Sequence, residues 1–321
     1  MELRYLTRDD LKALGVSMAE AIEAVEEGFR RKALGQTQMT AKAFVSPRPG
    51  EAGLMSLSAY IGGVDAVGLK WLGSRSVNRR PGQPLHTGLV ILNDPETTLP
   101  ICIMDAAWVT AMRTAAANGV AMKYLGPAQA TVGAVVGCGV EGRSNLQAML
   151  TCYPGLAEVR CHDIVAETAE EFSREAREQY GMTVTPTSEP RTAVVDADAV
   201  VTATSTGATP FLKAEWLKEG AIATPVDLWG AWEADLAAKV DKLVVDDYGK
   251  YEAFRSSERL KDIPKPHAEL GEIIVGGRPG RERPEERALT MMGGLPIQDV
   301  MTAHLVYRRA VALEAGVCLP Y

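Results

Sequence analysis

A glycine-rich turn between an apolar run and a helical stretch constrains the fold of this chain more than any other feature. The apolar run covers residues 131–136, and the turn that follows it reads GCGVEG over residues 137–142. The helical stretch continues to residue 150. A strand, a glycine turn and a helix in this order are typical of the first unit of a doubly wound parallel sheet.

Each glycine of the turn has a separate physical reason to be there. Gly137 permits the tight turn, Gly139 has no side chain to block a pyrophosphate, and Gly142 allows the helix to pack closely on the strand. Backbone N–H groups from Val140 onward would face the phosphates at the helix start. The turn therefore predicts a dinucleotide site. The alternative is a glycine turn that binds another nucleotide or none.

An acidic residue stands where a dinucleotide site needs one. Asp163 ends the second predicted strand, 21 residues after Gly142, and no arginine directly follows it. A carboxylate there can accept hydrogen bonds from both ribose hydroxyls and would repel a 2′-phosphate. The expected cofactor is NAD rather than NADP.

Strands and helices alternate through the rest of this region. Strands are predicted at 159–162, 199–203, 221–225 and 243–245, with a charged helix at 165–180. This alternation predicts a Rossmann-type parallel sheet.

Polar residues follow two of these predicted strands. Thr204 and Ser205 come after 199–203 and are expected to line the nicotinamide side, unless they are plain turn residues. Asp227 comes after 221–225, where parallel sheets place their ligands. It could hold an ammonium group or exchange a proton at a C–N centre. The alternative for Asp227 is a helix N-cap before residues 229–236.

The amino-terminal third has a different character. Ser17 and Glu20 form a capping-box pattern before a helix over residues 17–35. Short β-prone runs then alternate with turns and predict an antiparallel sheet; they cover residues 43–45, 54–57, 67–72, 88–92 and 100–104. Helices are predicted at 108–125 and 300–315. The expected domains are 1–122 with 303–321, and a Rossmann domain over 123–302.

Charge and composition disfavour several classes of function. The chain has 321 residues and a formal charge of −7, which disfavours binding to nucleic acid or to anionic lipid. Five scattered cysteines without a CxxC pair predict reduced thiols. No apolar run is long enough to span a membrane, and no metal-ligand spacing is visible. A cytoplasmic protein without a metal site is therefore expected.

Two cationic residues stand in apolar surroundings. Lys70 lies inside the β-prone run GLKW, where a lysine is costly to bury without a partner, so it either reaches solvent or meets an anion. Arg113 lies in an alanine-rich helix with almost no other charge nearby. It could grip a carboxylate with two parallel hydrogen bonds, or form a structural salt bridge.

Six short motifs occur together in a specific order over nearly the whole chain: GLKW (68–71), HTGLV (86–90), NDPET (93–97), AMRTAA (111–116), the glycine turn, and GLPIQD (294–299). In these motifs the chain resembles the ornithine cyclodeaminase/μ-crystallin family. The resemblance implies a substrate and dimerisation domain built around an antiparallel sheet, an inserted Rossmann domain, and homodimers joined through the first domain's sheet.

The resemblance also implies site residues. Lys70 and Arg113 would bind a substrate carboxylate, with Lys42 as a third basic contact. Thr87 would lie near the substrate and Thr114 near the cofactor. Asp227 resembles the family's catalytic acid.

Three activities are compatible with the family resemblance and with these site residues. The first is hydride transfer between NAD and the Cα of a small amino or imino acid, as in an imine reductase or amino-acid dehydrogenase. The second is an ornithine-type cyclodeaminase. Two departures from the family disfavour it: Gly53 where an acidic residue is expected, and LWGAW (228–232) after the catalytic acid. The third is a dinucleotide-binding protein without turnover.

Overall fold

The computed structural model of the chain describes residues 2–49, 52–75, 85–204, 209–256 and 260–320. These residues form two units, Met1–Arg113 with Leu295–Tyr321, and Thr114–Gly294. The elements in chain order are β1 (Glu2–Leu6), α1 (Arg8–Ala13), α2 (Met18–Ala33), β2 (Thr37–Met39), β3 (Ala43–Arg48), β4 (Ala52–Ile61), β5 (Ala66–Arg75), β6 (His86–Asn93), β7 (Pro100–Asp105), α3 (Ala106–Leu125), β8 (Val132–Val136), α4 (Val140–Cys152), β9 (Glu158–His162), α5 (Ala166–Tyr180), β10 (Val184–Pro186), α6 (Pro190–Val194), β11 (Ala199–Thr202), β12 (Ile222–Pro225), β13 (Lys242–Val245), α7 (Tyr248–Arg255), β14 (Ala268–Glu269), α8 (Leu270–Ile274), β15 (Ala288–Met291), α9 (Pro296–Ala312) and β16 (Val317–Pro320).

The first unit is built on one sheet with the strand order β16-β1-β7-β6-β5-β4-β2, and β3 also pairs with β4. All pairs are antiparallel except β1 with β7. The five β-prone runs of the sequence became β3 to β7, so the predicted antiparallel sheet is confirmed. Strands β1 and β16 were not predicted, because each is short and lacks a run of β-branched residues.

Helices α2 and α9 pack on each other, and α9 also packs on β4, β5 and β6. The predicted capping box of α2 is present. The Ser17 Oγ accepts from the Glu20 backbone N–H at 3.3 Å, and the Glu20 carboxylate accepts from the Ser17 N–H at 2.9 Å. Arg309 of α9 pairs with the same carboxylate. One side chain thus both caps α2 and ties it to α9.

The second unit is built on a parallel sheet with the order β10-β9-β8-β11-β12-β15-β13-β14. From β8 the chain first adds strands on one side and then, with β11, on the other. The strand order therefore reverses between β8 and β11, the switch point at which doubly wound sheets bind ligands beyond the carboxyl ends of their strands. The predicted Rossmann-type parallel sheet is confirmed.

The helix considered after Asp227 is absent. Residues 229–236 do not form an α-helix; a 3₁₀ turn over Ala234–Ala238 follows instead. Trp229 and Trp232 are buried in the core of the unit, 2% and 0% exposed, and the Trp229 indole donates to the Thr290 carbonyl at 2.9 Å. Apolar packing in the core outweighed the local helical pattern.

Candidate active site

The glycine turn of the second unit has the geometry that a pyrophosphate needs. Gly137 has a φ of +96°, and a Cβ there would lie 2.5 Å from the Ala203 carbonyl oxygen. A Cβ on Gly142 would lie 2.1 Å from the Gly137 carbonyl oxygen, so the helix start packs tightly on the turn. A Cβ on Gly139 would meet no heavy atom within 4 Å. Gly139 also caps α4 without a side chain, which leaves the first N–H groups of the helix to a ligand.

Asp163 lies directly beside this turn. One carboxylate oxygen accepts from the Cys138 backbone N–H at 2.8 Å, and the other accepts from the Val165 N–H at 3.0 Å. These two contacts fix the carboxylate at the end of β9, the position at which the sequence predicts a ribose contact. Arg143 supports the same turn by donating to the Cys138 carbonyl and pairing with Glu175.

Asp227 lies after the end of β12 and is buried, 4% exposed. Its two oxygens accept hydrogen bonds from the Thr202 hydroxyl at 3.0 Å and from the Thr204 hydroxyl at 2.5 Å. Burial raises the pKa of this carboxyl above its usual value, and the hydrogen bonds from Thr204 and Thr202 oppose that rise. No helix starts at Asp227, so the N-cap alternative is excluded.

Thr204 connects this acid to the glycine turn. Its backbone nitrogen lies 3.0 Å from the position of a Cβ on Gly137, and its hydroxyl bonds Asp227. The second unit therefore brings a turn suited to phosphate, a hydroxyl and a buried titratable acid together. Ser205, predicted beside Thr204, lies outside the described residues.

In the first unit Lys70 is almost fully buried, 1% exposed, on the inward face of β5. Its ammonium donates to Asp299 Oδ1 at 2.6 Å and to the Thr110 hydroxyl at 3.3 Å. Arg113 on α3 pairs with the same Oδ1 atom through Nε at 3.0 Å. Its Nη1 donates to Gln298 Oε1 at 3.0 Å. Side chains from three segments that are distant in the sequence, β5, α3 and the start of α9, thus form one ion cluster.

Asp299 and Gln298 were missed as site residues by the sequence analysis. Both lie in the first turn of α9, and each is 1% exposed. They belong to the GLPIQD motif, one of the six motifs in which the chain resembles the family. An amide two residues and an acid three residues after a proline are typical of any helix start, so nothing local marked them as partners of Lys70 and Arg113.

His86 is a third residue that the sequence did not place in the site. Burial lowers the pKa of its imidazole, and the positive charges of Lys70 and Arg113 lower it further. The ring is therefore neutral near pH 7. Its buried Nδ1 finds no hydrogen-bond partner among the described residues.

Three more of the predicted residues lie on described parts of the chain. Lys42 lies half-buried between β2 and β3, Thr87 is exposed on β6, and Thr114 is half-buried on α3. Over the described ranges of the chain, His, Cys, Asp and Glu form no group of three or more that could hold a metal ion. No helix in these ranges is both long and apolar enough to cross a membrane.

A parallel sheet with a glycine turn at its switch point and an acid after the second strand defines a Rossmann-type dinucleotide-binding unit. The chain belongs to the ornithine cyclodeaminase/mu-crystallin family, whose model matches residues 5–314. The family resemblance predicted from the motifs is thereby confirmed.

Relatives and solved structures cover almost the whole chain. The alanine dehydrogenase of Archaeoglobus fulgidus is 33% identical over 324 residues, with 98% of each chain covered. The Δ¹-pyrroline-2-carboxylate reductase of Thermococcus litoralis, solved with NADH and L-proline, superposes with a TM-score of 0.90 at 28% identity, covering 98% of this chain and 99% of that one. An archaeal alanine dehydrogenase dimer with bound NAD has a TM-score of 0.88 at 32% identity, with full coverage of both chains.

Proposed function

We propose that this protein is an NAD-dependent oxidoreductase that transfers hydride at the Cα–N centre of a small amino or imino acid. The observation that carries the proposal is the link Gly137–Thr204–Asp227 within the second unit. It joins a turn suited to a dinucleotide to a buried acid whose pKa is raised toward the working range. The relatives named as alanine dehydrogenase and pyrroline-2-carboxylate reductase support the same reaction class.

The dinucleotide site is assigned to the second unit. Gly137, Gly139, Val140 and Gly142 would hold the pyrophosphate against the start of α4. Asp163 would bind the adenosine ribose and disfavour a 2′-phosphate, which is the reason to expect NAD rather than NADP. Thr114, Thr204 and Ser205 are proposed to complete this site. When bound, the cofactor supplies or accepts the hydride.

The substrate carboxylate is assigned to the first unit. Lys70 and Arg113 are the cations for it, with Lys42 as a third contact and Thr87 near the substrate. Among the described residues none accepts a hydrogen bond from the Arg113 Nη2, so the N–H groups of this nitrogen remain available to a ligand. A fixed carboxylate restricts the orientation of the neighbouring Cα, and orientation is a large part of catalysis for such a reaction.

Asp227 is proposed to accept and donate protons during the reaction. Burial raises the pKa of this carboxyl, which makes it a better proton acceptor than an exposed aspartate. In one direction it would take a proton from the substrate ammonium or from attacking water, and in the other it would donate one to nitrogen. The two threonine hydroxyls hold it in place for either role.

The test is a panel of substrates with purified protein. L-Alanine and L-proline with NAD⁺, and 2-oxo acids with ammonium or methylamine and NADH, are followed by cofactor absorbance at 340 nm and by product mass. Net oxidation or reduction of the cofactor is expected. Ammonia release from L-ornithine without net cofactor change would instead establish a cyclodeaminase. Binding of NADH with no turnover of any compound would contradict both activities.

We further propose that the protein works as a homodimer joined through the outward face of the first sheet. On β5 and β6 this face carries Trp71 and Leu89, 38% and 41% exposed, and Tyr5 of β1 is 37% exposed. Their neighbours Leu72 and Val90 point inward and are buried, so both faces of the sheet are apolar. A second copy is the proposed occupant, in line with the archaeal alanine dehydrogenase dimer.

Sedimentation velocity tests the dimer. Wild type is expected at twice the mass of one chain, and Leu89→Lys, which places a charge on this face, is expected to shift it toward one chain. A monomeric wild type, or a variant that stays dimeric, would refute this face as the interface.

Five unpaired cysteines support the further proposal that the protein works in the reducing cytoplasm.

A further inference from the structure

The ion cluster of the first unit contains a carboxylate that the proposed reaction does not by itself require. Asp299 lies in the first turn of α9, while Lys70 lies on β5 and Arg113 on α3. A single atom, Asp299 Oδ1, lies 2.6 Å from the Lys70 ammonium and 3.0 Å from the Arg113 Nε. Two cations that face the same substrate group are therefore held around one protein oxygen.

We propose that Asp299 is a positioning residue that holds Lys70 and Arg113 in the arrangement that binds the substrate carboxylate. The inference rests on the proposed function, because it assumes that these two cations bind substrate. Asp299 itself is not proposed to touch the reacting atoms.

The geometry of Arg113 supports this role. The N–H groups of a guanidinium lie in one plane, so contacts at two of its nitrogens restrict where the third points. Asp299 pairs with Nε, and Gln298 accepts from Nη1. These two contacts restrict the orientation of the guanidinium and leave the Nη2 N–H groups for a ligand. Without them the side chain could rotate toward several orientations, and each would lower the affinity for substrate.

The charge of the cluster supports the same role. Lys70 and Asp299 are each 1% exposed, so neither charge is solvated by bulk water. Two cations this close repel each other strongly at low effective dielectric, and one carboxylate between them offsets that repulsion. Asp299 leaves the group with one net positive charge, which suits a ligand with one carboxylate. Its position at the start of α9 favours a negative charge as well.

A purely structural role for Asp299 makes a different prediction. If the ion pair only stabilised the unit, its loss would lower the fraction of active protein and reduce kcat, with KM unchanged. If Asp299 positions the cations, its loss raises KM for the amino acid and leaves NADH affinity unchanged. The two roles are therefore separated by the division of the effect between KM and kcat.

The experiment compares Asp299→Asn, Asp299→Glu, Lys70→Met and Arg113→Lys, with Glu27→Gln as the control. Glu27 pairs with Arg30 and Arg31 on α2 and is matched in losing a carboxylate from ion pairs of the same unit. Each protein is assayed with L-alanine or L-proline and NAD⁺, and NADH binding is titrated by fluorescence. The double variant Lys70→Met/Asp299→Asn completes a cycle.

Asp299→Asn is expected to raise KM by at least 30-fold, with kcat and NADH affinity within threefold of wild type. Asp299→Glu, which keeps the charge, is expected to recover at least a third of that loss on a logarithmic scale. The double variant is expected to lose less than the sum of the two single losses, because the part of the Asp299 effect that acts through Lys70 is already absent and only the part through Arg113 remains. If Asp299→Asn does not fold, Asp299→Glu carries the test, with a raised KM and unchanged NADH affinity expected.

Two results overturn different statements. If Lys70→Met and Arg113→Lys raise KM while both Asp299 variants match Glu27→Gln, the positioning role of Asp299 is wrong and the proposed function stands. If the Lys70 and Arg113 variants also leave KM unchanged, the assignment of the substrate carboxylate to these two cations fails and the positioning role of Asp299 falls with it, while the measured turnover still supports the proposed reaction.

Discussion

Each unit of this protein contains one buried aspartate close to its candidate chemistry, and the two are held in opposite ways. Asp227 of the second unit accepts hydrogen bonds from two threonine hydroxyls, and burial raises its pKa. Asp299 of the first unit lies between a lysine and an arginine. A carboxyl held by hydroxyls is suited to exchange a proton with a substrate, whereas a carboxylate between two cations is suited to orient them.

The largest effect is expected where the proton is handled. Asp227→Asn removes the titratable group but keeps an acceptor for one threonine, so turnover should fall by about 10³-fold. NADH affinity should stay within threefold of wild type. Asp235→Asn, which removes a carboxylate from a surface pair with Lys239, is the matched control and should change neither quantity. A loss of NADH binding in Asp227→Asn would show that this residue serves the cofactor rather than the substrate.

A smaller effect is expected at Arg113, whose proposed role is to bind and orient the substrate carboxylate rather than to exchange a proton. Arg113→Lys keeps the positive charge but loses the planar fork and the contact to Gln298, so kcat/KM should fall by about 10²-fold through KM. Arg31→Lys on α2 is the control for the same exchange outside the cluster. If steady-state kinetics show an unchanged KM for Arg113→Lys, charge alone is sufficient and orientation plays no part.

Alanine substitutions at two glycines of the turn, Gly139 and Gly142, should affect different properties: NADH binding at the first and stability at the second. A methyl group on Gly139 meets no atom of the protein, so Gly139→Ala should keep its melting temperature and weaken NADH binding by about tenfold. A methyl group on Gly142 would lie 2.1 Å from a carbonyl oxygen, so Gly142→Ala should lose about 1–3 kcal/mol of stability. Calorimetry and NADH titration on both variants check this. A destabilised Gly139→Ala with normal NADH affinity would contradict a phosphate at that position.

The choice of cofactor should depend on the charge of Asp163. Asp163→Asn keeps an acceptor for the Cys138 N–H but removes the repulsion of a 2′-phosphate, so the preference for NADH over NADPH should relax by about tenfold. Ratios of dissociation constants measure the change. Unchanged selectivity would remove the ribose assignment.

The smallest effect is expected at a cap far from the chemistry. The contacts of Glu20 with Ser17 and Arg309 lower its pKa from 4.5 to about 2. A lowered pKa stabilises the folded state above pH 4.5, and the contribution is lost as the pH falls toward 2. Because the side chain is about one-third exposed, Glu20→Gln should cost only about 0.5–1 kcal/mol at pH 7. Denaturant unfolding at pH 7 and pH 2.5 should show that difference shrinking, and a constant difference would exclude the charge as its cause.

The two sites also differ in how far the sequence predicts them. The glycine turn and Asp163 lie within 27 residues, and each position has a local requirement that glycine or an acid satisfies. Nearly all of the first strands and helices of the second unit are also predicted by local features, namely the alternation of apolar runs with helical stretches. The link from Thr204 to Asp227 needed the structure, because hydrogen-bond partners on neighbouring strands are set by the sheet rather than by spacing in the chain.

The cluster of the first unit could be predicted only in part. Lys70 stood out because a lysine in an apolar strand needs a partner, but 229 residues separate it from Asp299. Nothing in the pattern around Asp299 distinguishes it from an ordinary acid in the first turn of a helix. The identity of a buried charge's partner is a property of packing, and packing was visible only in the folded chain.

The central claim is net hydride transfer from the substrate carbon to the cofactor, and isotope labelling tests it most directly. Wild-type protein is incubated with L-alanine or L-proline carrying deuterium at Cα, together with NAD⁺, and the reduced cofactor is analysed by mass spectrometry. We expect reduced cofactor heavier by about one mass unit and an oxidised organic product. Unlabelled cofactor, or deuterium retained in a deaminated product without net reduction of NAD⁺, would contradict it.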